Sequence, residues 1–525
     1  MSNQTPSRTK ANPPHLSRIH AAAVDGRVRN PIFRRTQLKR LHDAVASSSD
    51  ALERAILADA LVPSCITPAD ARLELCLTLR AVRQLAADLD VNAAFAEEYS
   101  VASSKDAAEA RRPVGIVVVT PATHTPVYSA VAAVAAAVAG GNCVILQLDN
   151  TLQEVPSTLR KALQNAVDHD AIGFVTSDEI SNASFSETEV IHYVQQSHQR
   201  RPESATPTEQ ATSSTQLLLC PNTGRTIAIV ERDADVDAAA SALVGARFAL
   251  GGTSPYATDV VLVNEWVEKD FLQAVLRHTA TVVSGRAATS SSALNGGKTT
   301  TRSSAGDPNL LDRIKEEGKA RVVSTGDLGT VLTVEAPDSF LLSSSGPKVS
   351  QPLLAIRAVT SMDDAIDVAG RDLLAAYVFT KNPANAKYVT QFLDSAAAYV
   401  NHVPPRLLVG PAAVRGHPVN PDSAAPSPDM FTVPRPVYVG KRGRDAGGDK
   451  VLSKVVGGGD ASAAVMAEMA RDLGRELPAL PRPLKQVGIN FFEQGILTGA
   501  VLFFGTILTG VGFAGYHGYR LFKSR

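Results

Sequence analysis

Residues 246–263 read ARFALGGTSPYATDVVLV. An apolar helical run enters Gly251-Gly252, the chain turns, and a β-branched strand leaves. A turn of this form often presents the nucleophile of covalent catalysis, which adds to an electrophilic carbon once a base has taken its proton. Its centre here is Thr253-Ser254-Pro255-Tyr256. Thr253 and Ser254 offer hydroxyls, far weaker than a thiol without a base, and no base is evident beside them. Proline offers no nucleophile at all. Cys220 is a lone cysteine among apolar neighbours, and such a cysteine usually packs as a small core residue. The four cysteines, Cys65, Cys76, Cys143 and Cys220, include no C-x-x-C pair, which argues for a reducing compartment without a disulfide framework or zinc site. His192 and His198 are spaced for neither one helix face nor a known ligand set, so no metal is expected. GGKT at 296–299 lacks the upstream glycine and the strand–helix setting of a phosphate loop.

The elements that would position such a turn alternate. Residues 33–97 carry apolar and charged positions at helical spacing. From Pro113 onward VGIVVV (114–119) reads as a buried strand, an alanine-rich helix covers 127–139, and CVILQL (143–148) is a second strand. Strand, helix, strand with short links is a βαβ unit with parallel strands. A polar loop at 199–215 precedes TIAIV (226–230), a helix at 236–249 whose start is rich in aspartate, and TDVVLV (258–263). A helix is expected near 267–278 and a mobile Ser/Thr/Gly-rich insertion at 284–306. Alternation resumes with PLLAIRAV (352–359), a helix in SMDDAIDVAG, AAYVFT (375–380), a helix near 383–394 and AAYVN (397–401). Residues 404–460, rich in proline and glycine, read as extended segments and linker. The fold class is α/β, with two parallel-sheet lobes and a cleft between them.

The 525 residues are 44% hydrophobic and 20% charged, enough apolar content for a large core. Lys+Arg and Asp+Glu both number 52, a balance that argues against nucleic acid as the main partner. The N-terminus shows no apolar leader of the secretory type. At the other end no residue from Gln494 to Tyr519 carries a formal charge. That is long enough to cross about 30 Å of hydrocarbon as a helix. Tyr516 and Tyr519 would sit in an interfacial belt, and Arg520, Lys523 and Arg525 follow. A transmembrane helix at 490–516 is therefore expected, tail-anchoring a cytosolic body to the ER, the peroxisome or the mitochondrial outer membrane.

Several stretches taken in order, RRPVGIVVVTP, AVAGGNCVIL, TGRTIAIVERDADVDAAASALVGARFALGG, DVVLVNE, SMDDAIDVAGRDLLAAYVFT and YVNHV, resemble the aldehyde dehydrogenase superfamily. The hydrophobic tail and the RRTQLKRL stretch are similar to the membrane-anchored fatty aldehyde dehydrogenase branch. The resemblance implies a Rossmann-like lobe binding NAD or NADP (1–218), a catalytic-type lobe (219–403) and an extended β-bridge for homodimers (404–440). A linker (441–489) and the tail helix complete the expected order. It also implies a thiolate that attacks the aldehyde, hydride transfer to the nicotinamide, and a glutamate that activates water.

Carried over residue by residue, those roles are replaced here. The nucleophile position is Pro255, with Ser254 beside it. The general-base position is Pro221, with Cys220 beside it. The oxyanion donor falls near Thr123, with His124 a possible substitute. The cofactor contacts fall at Gln147, Asn150, Lys348 and Ser350, and the segment after VIHYV has no glycine for close approach to pyrophosphate. Arg200 and Arg201 in that segment could meet an anion, although a solvated loop is the simpler reading. The expectation is a catalytically degenerate pseudoenzyme at a lipid bilayer, with a binding or scaffolding role and a long-chain aldehyde or lipid-derived ligand. The alternative is a divergent NAD(P)-dependent fatty aldehyde dehydrogenase using Cys220 or a hydroxyl.

Overall fold

The computed structural model describes residues 13–60, 66–102, 110–149, 153–181, 190–195, 216–220, 223–290, 310–326, 328–343, 346–414, 426–435 and 491–523, with a few isolated positions at 417 and 466–474. Cys65, Asn150, His198, Arg200, Arg201, Pro221, the loop 199–215, GGKT and the insertion beyond 290 lie outside the described residues. The chain forms two compact units, Met1–Val437 and Tyr438–Arg525.

In the first unit, β1 (Arg111–Pro113) pairs antiparallel with β14 (Thr432–Pro434) as a two-stranded ribbon. β2 (Ile116–Thr120), β3 (Cys143–Gln147), β4 (Ile172–Val175), β5 (Val190–Val194) and β6 (Gln216–Leu219) form a five-stranded sheet in the order 4-3-2-5-6. Every pair in it is parallel. The helix Pro126–Ala139 makes the β2–β3 crossover. It is buried all round, packed against β2, β3 and the helices Pro31–Ser47 and Pro68–Asp88. Eight of its fourteen side chains are alanine or serine, and small side chains allow that close approach on every face. Its N-cap Thr125 makes no capping bond. Instead Glu74, from the helix Pro68–Asp88, accepts from Val127 N at 2.8 Å and Tyr128 N at 3.0 Å, satisfying two of the orphan donors at that helix start.

The second sheet has seven strands in the order 13-12-7-8-11-10-9. They are β7 (Thr226–Val230), β8 (Val260–Asn264), β9 (Ala320–Gly326), β10 (Gly329–Val334), β11 (Leu353–Val359), β12 (Ala375–Phe379) and β13 (Ala398–Val400). All pairs are parallel except β9–β10, an antiparallel hairpin at one edge. Gly329 makes that hairpin possible: its φ is 145°, and a Cβ there would lie 2.1 Å from Pro352 O. As expected, Asp235 caps the helix Val236–Phe248, accepting from Ala238 N at 3.1 Å.

Local expectations need correction at several places. The helix expected near 267–278 runs Glu268–Ser290, so the first residues of the supposed insertion are helical. A helix at Leu310–Glu317 and the β9–β10 hairpin follow, where the sequence reading placed no element. Pro405–Val409 is a short helix within a stretch read as extended, consistent with proline's preference for a first helical turn. In the second unit the tail helix spans Phe491–Lys523, past the expected end at 516. Its stretch Gln494–Lys523 is long and apolar enough to cross a membrane, and none of its apolar window is buried against protein.

Candidate active site

The turn at 249–258 joins the helix Val236–Phe248 to β8. Three consecutive residues take left-handed backbone: Leu250 (φ 50°), Gly251 (φ 64°) and Gly252 (φ 69°). A Cβ on Gly252 would meet Pro352 N at 2.7 Å. Leu250 holds its uncommon conformation because the surroundings fix it. Its N–H donates to Asp70 Oδ1 at 3.3 Å, and its carbonyl accepts from Thr253 Oγ1 at 2.8 Å.

The polar groups of the turn are engaged within the protein. Ser254 is 1% exposed. Its hydroxyl donates to Leu408 O at 2.6 Å and accepts from Tyr256 N at 3.2 Å. Pro255 is buried and its carbonyl accepts from Thr226 Oγ1 at 3.0 Å. Tyr377 Oη donates to Tyr256 O at 2.9 Å, and Tyr256 Oη accepts from Ala413 N at 2.8 Å. Cys220, just after β6, is buried, and burial pushes its thiol up to about 12 although the Tyr193 hydroxyl hydrogen-bonds to it. Such a thiol is almost wholly protonated near neutrality and is a poor nucleophile.

Thr123 is exposed and His124 half-buried after β2. His124 Nε2 lies 3.2 Å from Gly410 O, and burial pulls its imidazole down to about 4, so it is neutral at physiological pH. In the tautomer protonated at Nε2 its ring donates to the chain.

Gln147 is buried at the end of β3. Its Oε1 accepts from Thr120 Oγ1 at 2.9 Å and its amide donates to Asp149. Ser350 is half-buried. Lys348 lies beside the turn: its amine donates to Asp259 Oδ2 at 2.8 Å and to Thr226 Oγ1 at 3.3 Å. Asp259 also accepts from Thr226 N at 2.7 Å and Val349 N at 3.0 Å. Arg247, fully buried, approaches Asp259 Oδ1 at 3.7 Å and donates to the carbonyls of Gly252 and Val349, each at 2.7 Å. Burial holds both Lys348 and Arg247 below their ordinary pKa values, Arg247 at about 10, and Asp259 opposes that fall in each.

Among the described positions that the resemblance assigns to chemistry, the structure gathers Ser254, Pro255 and Lys348 around Thr226 and Asp259. Gln147 belongs to the other sheet. Sequence reasoning missed Asp259, Arg247 and Arg225 as a cluster. The available signal was a charged residue in or at the start of an apolar run, Arg247 within ALVGARFAL, Arg225 ahead of IAIV and Asp259 ahead of VVLV, which usually marks a buried pair. The cofactor fits poorly. An ammonium has no lone pair to accept from ribose hydroxyls, and Lys348, at the position the resemblance gives to that acceptor, is paired with Asp259 instead.

A five-stranded parallel sheet and a seven-stranded, mostly parallel sheet, with a helix-to-strand turn beside them, define the aldehyde dehydrogenase type of α/β protein. The chain belongs to the aldehyde dehydrogenase family, whose model matches residues 20–413. A search of curated proteins returned no match. Among solved structures, the chain is similar to the substrate-bound AldH of Staphylococcus aureus (TM-score 0.60, 16% identity, 82% of this chain and 94% of that one). It is also similar to an NAD-dependent benzaldehyde dehydrogenase from Corynebacterium glutamicum (TM-score 0.57, 16% identity, 82% and 89%). A third is glyceraldehyde-3-phosphate dehydrogenase GapN from Methanocaldococcus jannaschii complexed with NADP (TM-score 0.53, 17% identity, 74% and 85%). At these identities the likeness is one of fold.

Proposed function

We propose that this chain is a catalytically degenerate member of its family, akin to the membrane-anchored fatty aldehyde dehydrogenases, acting by binding or scaffolding at a membrane surface. The observation that carries the reading is the state of the turn at 253–256. Proline stands at the nucleophile position, and the neighbouring Ser254 hydroxyl is buried and committed to Leu408 O. A serine without a base and without access has no route to attack a carbonyl. Burial of the Cys220 thiol, pushed up to about 12, weighs against the alternative of a divergent fatty aldehyde dehydrogenase. Lys348 in an ion pair with Asp259 weighs against retained NAD or NADP binding.

In this reading residues 1–218 and 219–403 are the two lobes, 404–440 supplies the dimer-forming segment, and 441–489 links the body to the tail. The apolar helix anchors the chain in the ER, peroxisomal or mitochondrial outer membrane with the body in the cytosol, as a homodimer. The ligand held is a long-chain aldehyde or another lipid-derived molecule. Thermal unfolding of the purified full-length protein with increasing NAD or NADP tests the reading. No shift is expected, and a saturable rise in melting temperature with either nucleotide would sink the degenerate-site proposal.

A further inference from the structure

Beneath the turn, three buried cations gather near a single carboxylate. Arg225 and Arg247 are 5% and 0% exposed, and the side chains of Lys348 and Asp259 are 9% and 1% exposed. The carboxylate that offsets the burial of each of these cations is Asp259. Its oxygens are already taken by Thr226 N, Lys348 Nζ and Val349 N. Two guanidinium groups and an amine thus share one carboxylate, and a neutral Lys348 would still leave two cations to one anion. Excess charge in a protein interior is strongly disfavoured unless something compensates it.

A second observation points to the same deficit. The Nε groups of Arg225 and Arg247 and the Nε2 of Gln351 are buried without a hydrogen-bond partner. All three are donors, and the Thr258 hydroxyl, also buried without a partner, can donate too, so one acceptor chemistry would suit all four. The cluster reaches the surface at Ser343, an exposed residue whose carbonyl takes Arg225 Nη1 at 2.7 Å.

We infer that Arg225, Arg247 and Lys348 form a site for a small oxyanion, a carboxylate or a phosphate, entering beside Ser343. The terminal nitrogens of both guanidinium groups already serve main-chain carbonyls, and each keeps its Nε as a charged donor suited to an oxyanion. Arg247 also holds the carbonyls of Gly252 and Val349, so an anion here would brace the turn that carries Pro255. The inference holds whether or not the chain turns over aldehydes.

The test uses the full-length protein in detergent, with sodium phosphate or sodium acetate titrated against sodium chloride at constant ionic strength. The melting temperature is expected to rise saturably with one oxyanion and not with chloride. A response to phosphate alone identifies a phosphate site, and a response to acetate alone a carboxylate site. Lys348→Met should weaken that binding about tenfold or more, while Lys348→Arg should keep it within a few-fold. No saturable rise with either anion, or an unchanged midpoint in Lys348→Met, would overturn the site. If Lys348→Met does not fold, calorimetric titration of the wild type decides: saturating heat supports the site and its absence overturns it.

Discussion

Lys348 and Asp259 meet at 2.8 Å beneath the turn that carries Pro255, where the amine also reaches the Thr226 hydroxyl that donates to Pro255 O. This chain of contacts runs from a cation through a threonine to the backbone of the proline. It makes the turn part of the protein's internal framework.

Asp259 should therefore be costly to change. Asp259→Asn leaves Arg247, Arg225 and Lys348 without their carboxylate, and breaking a buried ion pair from one side typically costs about 3–5 kcal/mol. Denaturant unfolding of the variant should show a loss in that range. A loss below about 1 kcal/mol would mean the cluster is not held by this charge.

Glu74 makes folding stability depend on pH. Burial raises its folded pKa from 4.5 to about 7, against the two backbone N–H bonds that lower it. Between those values the folded state binds the proton that the unfolded state has released. Stability is therefore fully present below pH 4.5 and declines as pH rises to about 7, by at most about 3 kcal/mol. Glu74→Gln, whose amide oxygen can accept the same N–H bonds, should flatten that decline. Equal slopes for the wild type and the variant, measured from pH 5 to 8, would refute the assignment.

Much of the architecture was legible in the chain. β2, β3, β7 and β8 are buried throughout, and runs such as IVVV and VVLV announce strands of that kind. The β9–β10 hairpin was not, because β9 is an edge strand with no fully buried residue and an irregular pattern. The replaced residues at the candidate site could be read from the resemblance. Their packing could not, since nothing in the sequence brings Lys348 to Asp259 across 89 positions. The Ser254–Leu408 bond likewise spans 154 positions.

Thiol reactivity follows from burial. Burial pushes both Cys143 and Cys220 up to about 12, whereas Cys76 is exposed on the helix Pro68–Asp88. At pH 8 roughly one in ten thousand buried thiols would be ionised. Peptide mapping after iodoacetamide treatment of the native protein should find Cys76 modified well before Cys143 or Cys220. Early modification of Cys220 would reopen the case for it as a nucleophile.

The tail should behave as an integral span. Protein carrying Gln494–Lys523 should stay with membranes in alkaline carbonate, whereas a chain ended near Gln486 should be soluble. Release of the full-length protein by carbonate would remove the anchor.

The central claim is that the turn at Pro255 no longer supports aldehyde oxidation. The most direct measurement mixes full-length protein with NAD or NADP and a long-chain aldehyde, then follows reduced nicotinamide. No formation above the protein-free control is expected. Steady turnover that disappears in Cys220→Ala would contradict the account and identify a working dehydrogenase.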